Sequence, residues 1–364
     1  MDKQRGVVLI LAMLIVVMVT TITISLSWRY NLSLTRSENR WHGMQARAYL
    51  EGAETLAAVV LREDFLADQD SGRMADTLND IWAQSAEAFP TDEGWVRGKI
   101  EDAQGRLNLN LLEAQAQSGQ GGQQQGNVPL AQQFTEPQKR FIRLLQTFEF
   151  EDGPIDPARA IEITEAVIDW IDGNDSVKGF GGAEQSYYQQ LDPPATPPNL
   201  PMISVSELRR IKGMTEELYR ALLPLVIALP PAAKLNINTM PLKLMQTIND
   251  PENLLPLAAE DAQLLLEERD ALMTTDGGAA GGTAGVPSEN TSGFDSVDAL
   301  KTSPILTSLI TDVAKLDTSD LTVQSDFFLL FSDTQVGEQI RSGASMLKRT
   351  NGQVQVVRRT DAHF

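Results

Sequence analysis

From Val7 to Leu26 the chain carries neither a charged residue nor a proline, and this constrains its 364 residues more than any other feature. About 20 residues of helix rise about 30 Å, the thickness of a bilayer core. A membrane span is therefore the first element to expect. Lys3 and Arg5 precede the run, which predicts that the few residues before it stay cytoplasmic and the bulk lies on the far side. Arg29, Arg36 and Arg40 beyond the run reduce that charge bias. A secretory signal has a shorter apolar core, about 7 to 15 residues, and a small-x-small cleavage site; here the run is longer, and "TITISLSWRY" offers no such site. Helical spacing continues beyond it. Ala46, Tyr49, Leu50, Ala53, Leu56, Ala57, Val60 and Leu61 recur at intervals of three and four, the pattern of an amphipathic helix with one face on a globular body. The spacing predicts a nearly continuous helix from Val7 to Arg62, about 80 Å long.

A short basic leader ending at Gly6, an apolar helix that is kept and an amphipathic extension together resemble the class III signal of type IV pilins and type II secretion pseudopilins. The resemblance implies that a prepilin peptidase cuts between Gly6 and Val7, on the cytoplasmic side. An unprocessed single-pass anchor accounts for the same residues. Most members of that group carry a glutamate five residues into the mature chain, where a charge in lipid needs a partner; this chain has Leu11 there.

Composition narrows the chemistry. Net charge is −19, a field that repels phosphate backbones and makes nucleic acid a poor default partner. There is no cysteine, which excludes disulfides, thiolate metal sites and a cysteine nucleophile. Only His42 and His363 are present, so histidine catalysis or zinc ligation has little to work with. The adjacent carboxylates Glu216 and Glu217, and Glu267 and Glu268, do not face one another on a helix and read as solvated surface. The chain is not expected to be an enzyme.

Behind the anchor, "WVRGKIEDAQGRLNLNLL" alternates around a turn at Ala103 to Gly105 and predicts a β-hairpin over Trp95–Leu112. Gly and Gln break every period over 115–128, which reads as a linker. From Pro129 to Ile310 the pattern is helical, in segments such as "ARAIEITEAVIDWI" and "AAEDAQLLLEERDALM". Strands return in "SDFFLLFSDTQVGEQIRSGASMLKR" and "GQVQVVRRT", with a turn at Asn351-Gly352. The expected fold is α+β: a long transmembrane and amphipathic helix packed on an antiparallel sheet that a large all-α insertion interrupts. Its parts are a leader (1–6), a span (7–26), an α/β domain (27–114 and 311–364), a linker (115–128) and a helical insertion (129–310).

One cluster stands out in "DWIDGNDSVKGFGGAEQSYY". Asp172, Asn174, Asp175 and Glu184 surround a glycine-rich loop, and hard oxygen ligands on flexible backbone are what calcium requires. It is not an EF-hand, because Val177 stands where the glycine should be and Glu184 comes one residue late. An acidic surface turn capped by Asp172 or Asp175 is the alternative. A second pattern, "LRRIKGMTEELYRALLPLV", resembles a helix-hairpin-helix module, with Arg209, Arg210 and Lys212 beside the Gly213 turn. It implies a membrane-anchored DNA-binding or uptake protein as an alternative, which the net charge opposes.

The order of "GWVRGKIEDAQGRLNLNLL", "DWIDGND…GGAEQSYY", "KLNINTMP" and the terminal "SDFFLLFS" resembles the K minor pseudopilin family of type II secretion systems along essentially the whole chain. That resemblance implies a subunit at the tip of the periplasmic pseudopilus, anchored in the inner membrane, starting assembly with the I and J minor pseudopilins and supporting export of folded proteins. It implies structural calcium in the helical part, with Asp172, Asp175 and Glu184 as ligands and Asn174 and Asp169 beside them. Leu11 matches the family's lack of the membrane glutamate.

Overall fold

The computed structural model describes residues 3–84, 87–113, 129–151, 153–274 and 293–360; the linker over 115–128, the loop over 275–292 and His363 lie outside them. Helix α1 (Lys3–Ser71) is one unbroken element about 100 Å long, nine residues longer at its end than the spacing predicts. It is the one helix among the described residues long and apolar enough to cross a membrane. Its most apolar window has a mean hydropathy of 3.0 and none of it is buried.

Five strands form the principal sheet: β1 (Phe89–Thr91), β2 (Gly94–Asp102), β9 (Phe327–Val336), β10 (Gln339–Thr350) and β11 (Gln353–Thr360), in the order β1-β2-β9-β10-β11. The chain leaves the sheet after Asp102 and re-enters it at Phe327 as the neighbour of β2. The α+β class and the interruption of the sheet are thus as expected. Between those points lie α2 (Glu136–Leu145), α3 (Pro157–Ile171), α4 (Gln185–Tyr188), α5 (Glu216–Leu222), α6 (Leu242–Met245), α7 (Ala259–Thr274), α8 (Val297–Lys301) and α9 (Pro304–Leu309). Short strand pairs accompany them: β3 (Leu107–Asn108) with β6 (Val226–Ile227), β4 (Glu149–Phe150) with β5 (Gly153–Pro154), and β7 (Leu235–Asn236) with β8 (Leu321–Thr322).

The hairpin expected over Trp95–Leu112 is not formed. β2 pairs antiparallel with β1 and lies beside β9, whereas Leu107–Asn108 pairs in parallel with Val226–Ile227. Alternation misled because Leu107, Leu109 and Leu112 are buried in the helical core while Asn108 and Asn110, which read as outward-facing, are buried too. Their amides act as backbone staples. Asn108 Oδ1 accepts from Leu229 N and Nδ2 donates to Pro230 O; Asn110 takes up both polar groups of Met202. The closing turn at Asn351-Gly352 forms as read, both residues at positive φ (50° and 76°), with Thr350 opposite Gln353.

Two compact units divide the chain. The first comprises Met1–Ala53, Glu87–Arg97 and Ser332–Ser342. In it Trp95 Nε1 donates to Gln335 Oε1 at 2.8 Å, and Asp333 accepts from Arg97 and Ser342. The second comprises Glu54–Ala86, Gly98–Phe331 and Gly343–Phe364. Its core includes Phe141, Ile163, Val167, Leu222, Met245 and Leu265, and α2 is buried along its whole length; the Ala46-to-Leu61 repeat supplies Ala57 and Leu61.

Candidate metal centre

The acidic loop follows α3. Asp156 caps that helix, accepting from Arg159 N at 3.0 Å, and Pro157 opens it. Asp172 ends it as the C-cap residue. Glu165, Asp169 and Asp172 stand four and three residues apart on one face of α3, which turns that face acidic. Burial of Trp170 beneath this loop, edge-on to Tyr188 with ring centroids 5.2 Å apart, anchors both ends of the motif in the core.

Glycines let the loop return against those carboxylates. A Cβ on Gly182 would lie 2.3 Å from Asp169 Oδ2 and 2.4 Å from Lys178 O, and one on Gly179, at φ +57°, would lie 1.9 Å from Glu165 Oε1. The backbone then donates inward. Lys178 N reaches Asp169 Oδ1 and Oδ2 at 3.1 and 3.2 Å, and Gly181 N reaches Glu165 Oε2 at 2.7 Å. Lys212 Nζ, from the hairpin turn before α5, donates to Gly181 O and Gly182 O.

Of the residues the sequence singled out, Glu184 is the most telling. It is 3% exposed, and both carboxylate oxygens are buried without a hydrogen-bond partner. Burial, then the charges of Asp169, Asp172 and Asp175, pushes its carboxyl up to about 7. Asp169 is fully buried and raised to about 6, first by burial, with Asp172 and Glu165 adding to it against the hydrogen bond from Lys178. A bare buried carboxylate facing three others costs free energy unless a cation offsets it. The donor set therefore fits a hard cation bound through oxygen.

The remaining residues are partly engaged in turns. Asp172 Oδ1 accepts from Asn174 N at 3.3 Å, Asn174 Oδ1 from Ser176 N at 2.8 Å, and Asp175 Oδ1 from Asn199 Nδ2 at 3.1 Å. Glu165 and Lys178 are the partners that sequence reading missed. Glu165 was visible only as the i−4 neighbour of Asp169, and Lys178 packs its ammonium 5.8 Å from the Phe134 ring centroid while Glu165 and Asp169 attract it.

Among the described residues, the acidic triad with oxygens converging within 4.8 Å lies elsewhere, at Asp64, Asp76 and Asp80. Arg349 already serves it, with Nη1 3.1 Å from Asp64 Oδ2 and Nη2 on Asp76 Oδ1. Two of the helix-hairpin-helix cations are also committed locally: besides the Lys212 contacts, Arg209 Nε donates to Glu216 Oε2 at 3.0 Å.

Comparison with known proteins follows the same lines. The family described as type II secretion system (T2SS), protein K matches residues 105–231. The type II secretion system protein K of Aeromonas hydrophila is 34% identical over 239 residues, covering 65% of this chain and 68% of the relative. That of Pectobacterium carotovorum subsp. carotovorum is 30% identical over 364 residues, covering 98% and 96%. The crystal structure of the GspK-GspI-GspJ complex from the enterotoxigenic Escherichia coli type 2 secretion system holds a chain similar to this one. Its TM-score is 0.67 at 25% identity, across 89% of this chain and 98% of that one.

Proposed function

This chain belongs to the type II secretion system protein K family, and from that premise we propose that it is the minor pseudopilin at the tip of the pseudopilus, starting assembly with the I and J pseudopilins. In that role it supports export of folded proteins from the periplasm across the outer membrane. The observation that carries the reading is the likeness, over 89% of this chain and 98% of its counterpart, to a chain solved together with GspI and GspJ. Helix α1 is suited to the task, with an exposed apolar segment for the inner membrane that runs without a break into a stem packed on the sheet. Leu11, 58% exposed on that segment, needs no charged partner in lipid, as befits a subunit with no neighbour above it.

Prepilin peptidase is the enzyme that would cut after Gly6, leaving Val7 as the new N-terminus. Asp172, Asp175 and Glu184, with Asn174 and Asp169, would hold calcium. Bound there, the ion supplies the positive charge that the Glu184 carboxylate lacks and ties the Gly-rich loop to the end of α3.

The test is reconstitution in mild detergent of the full-length chain with the I and J pseudopilins of the same secretion system. A stable three-part complex at micromolar concentration is expected, and its absence would leave a generic anchor as the better reading. Intact mass of protein recovered from membranes checks the leader: wild type should lose residues 1–6, and Gly6→Leu should retain them and fail to assemble.

A further inference from the structure

Three arginines follow the apolar segment on one face of α1. At about 100° per residue, Arg29, Arg36 and Arg40 fall within about 40° of one another around the helix, and Glu38, the one acidic residue between Arg29 and Arg47, lies about 180° from Arg29. All three are exposed, and among the described residues none has an ion-pair partner, whereas Arg47, next along the same face, is paired with Glu51. In a chain of net charge −19 this is a local reversal of sign.

Resting on the membrane-anchor reading above, we propose that the Arg29, Arg36 and Arg40 stripe docks on anionic phospholipid headgroups at the surface from which α1 emerges. The stripe begins three residues, about 4.5 Å, beyond Leu26 and continues the apolar segment directly. Helical side chains lean toward the N-terminus, here toward the bilayer, so each guanidinium reaches back from its own level. Trp28 and Tyr30, 67% and 65% exposed, flank Arg29 with the amphipathic rings that settle at a headgroup layer. Arg36 and Arg40 stand about 15 and 21 Å beyond Leu26 on a straight path, and a tilt of the usual size, about 20°, toward the stripe brings them nearer the phosphates. Planar guanidinium groups pair with phosphate through two parallel hydrogen bonds. The stripe thereby fixes which way the stem leans and which face it leaves open.

The full-length chain placed in nanodiscs of equal phosphatidylcholine and phosphatidylglycerol, then extracted in mild detergent, tests this by mass spectrometry of the retained lipid. Phosphatidylglycerol should be enriched, by roughly fivefold for each arginine within reach of the headgroups. The enrichment should vanish in 1 M salt, where the Debye length is about 3 Å. The triple change Arg29→Gln, Arg36→Gln, Arg40→Gln should abolish it, and Arg47→Gln should leave it intact. Equal enrichment in the triple variant and wild type overturns the proposal. So does a triple variant that keeps its lipid but loses salt-sensitive binding to the I and J pseudopilins, which assigns the stripe to a neighbouring stem. Failure of wild type to enter nanodiscs of either phospholipid alone overturns the anchor reading itself, and this inference with it.

Discussion

Arg349 shows what a single side chain carries here. It is 5% exposed, pairs with Asp64 and Asp76, donates to Leu61 O and Ser325 O, and lies over the Phe65 and Phe328 rings at 5.6 and 4.8 Å. It faces more negative charge than it can offset. Burial first, then Asp80, Asp76 and Asp68, raises Asp64 to about 8; burial, then Asp80 and Asp76, raises Asp68 to about 7, and burial raises Asp80 to about 6 against its bonds from Thr77. Replacing Arg349 with Met leaves two buried carboxylates uncompensated and should cost about 3 to 5 kcal/mol in urea unfolding at pH 8. The carboxyls also set a pH dependence. Each binds its proton more tightly folded than unfolded, so stability is fullest below the ordinary carboxylate range and is lost as pH climbs through about 6, 7 and 8. The melting temperature should fall from pH 5 to pH 8.5, and Asp68→Asn should flatten the upper part of that fall. A melting temperature that rises over this range contradicts the assignment. None of this cluster could be read in the sequence, because Arg349 meets Asp64 and Asp76 across 285 and 273 residues.

At the scale of elements, legibility followed locality. The apolar run, the helical periods and the Asn351-Gly352 turn are local signals, and α1, α3 and the last hairpin formed as read. Over Leu107–Asn110 the alternation was real but reported burial on both faces, with asparagines serving as staples instead of facing water. The acidic loop lies between these cases. Its ligand types were visible, whereas the contacts of Glu165 with Gly181 and of Lys212 with Gly181 and Gly182 span 16 to 31 residues and leave no periodic trace. The glycines make the loop testable. Gly182→Ala puts a methyl into Asp169 and the Lys178 carbonyl and should destabilise by about 1 to 3 kcal/mol, whereas Gly173→Ala, with nothing within 4 Å of its Cβ, should stay within about 0.5 kcal/mol. Saturating calcium should raise the wild-type melting temperature, by about 2.7 kcal/mol of added stability at 100 times Kd. Asp172→Ala with Glu184→Ala should remove the shift; a double variant that responds like wild type sinks the site.

For the whole molecule, the question is how a sheet interrupted by so long an excursion unfolds. The two crossing points, after Asp102 and before Phe327, are tied to each other and to the helical residues between them. Gln104 Oε1 accepts from Asp326 N and Phe327 N at 2.6 and 3.2 Å, and its Nε2 donates to Lys234 O at 2.8 Å. Asp102 Oδ2 accepts from Thr239 Oγ1, Asn236 Nδ2 and Ser325 Oγ. Asn236 belongs to "KLNINTMP", so a motif that carried the family resemblance acts as a clasp at the junction. With the crossing tied this way, the strands over 98–102, 327–331 and 343–360 and the helices from α2 to α9 should open as one cooperative unit. Gln104→Ala removes three hydrogen bonds and leaves the backbone donor of buried Phe327 unpaired, at a cost of about 1 to 3 kcal/mol. Native-state hydrogen exchange should then find β9 and β10 opening at lower free energy than α3, whereas wild type should show a shared value. Shared opening of β9, β10 and α3 in the variant would mean that the clasp does not couple them and that the buried core alone does.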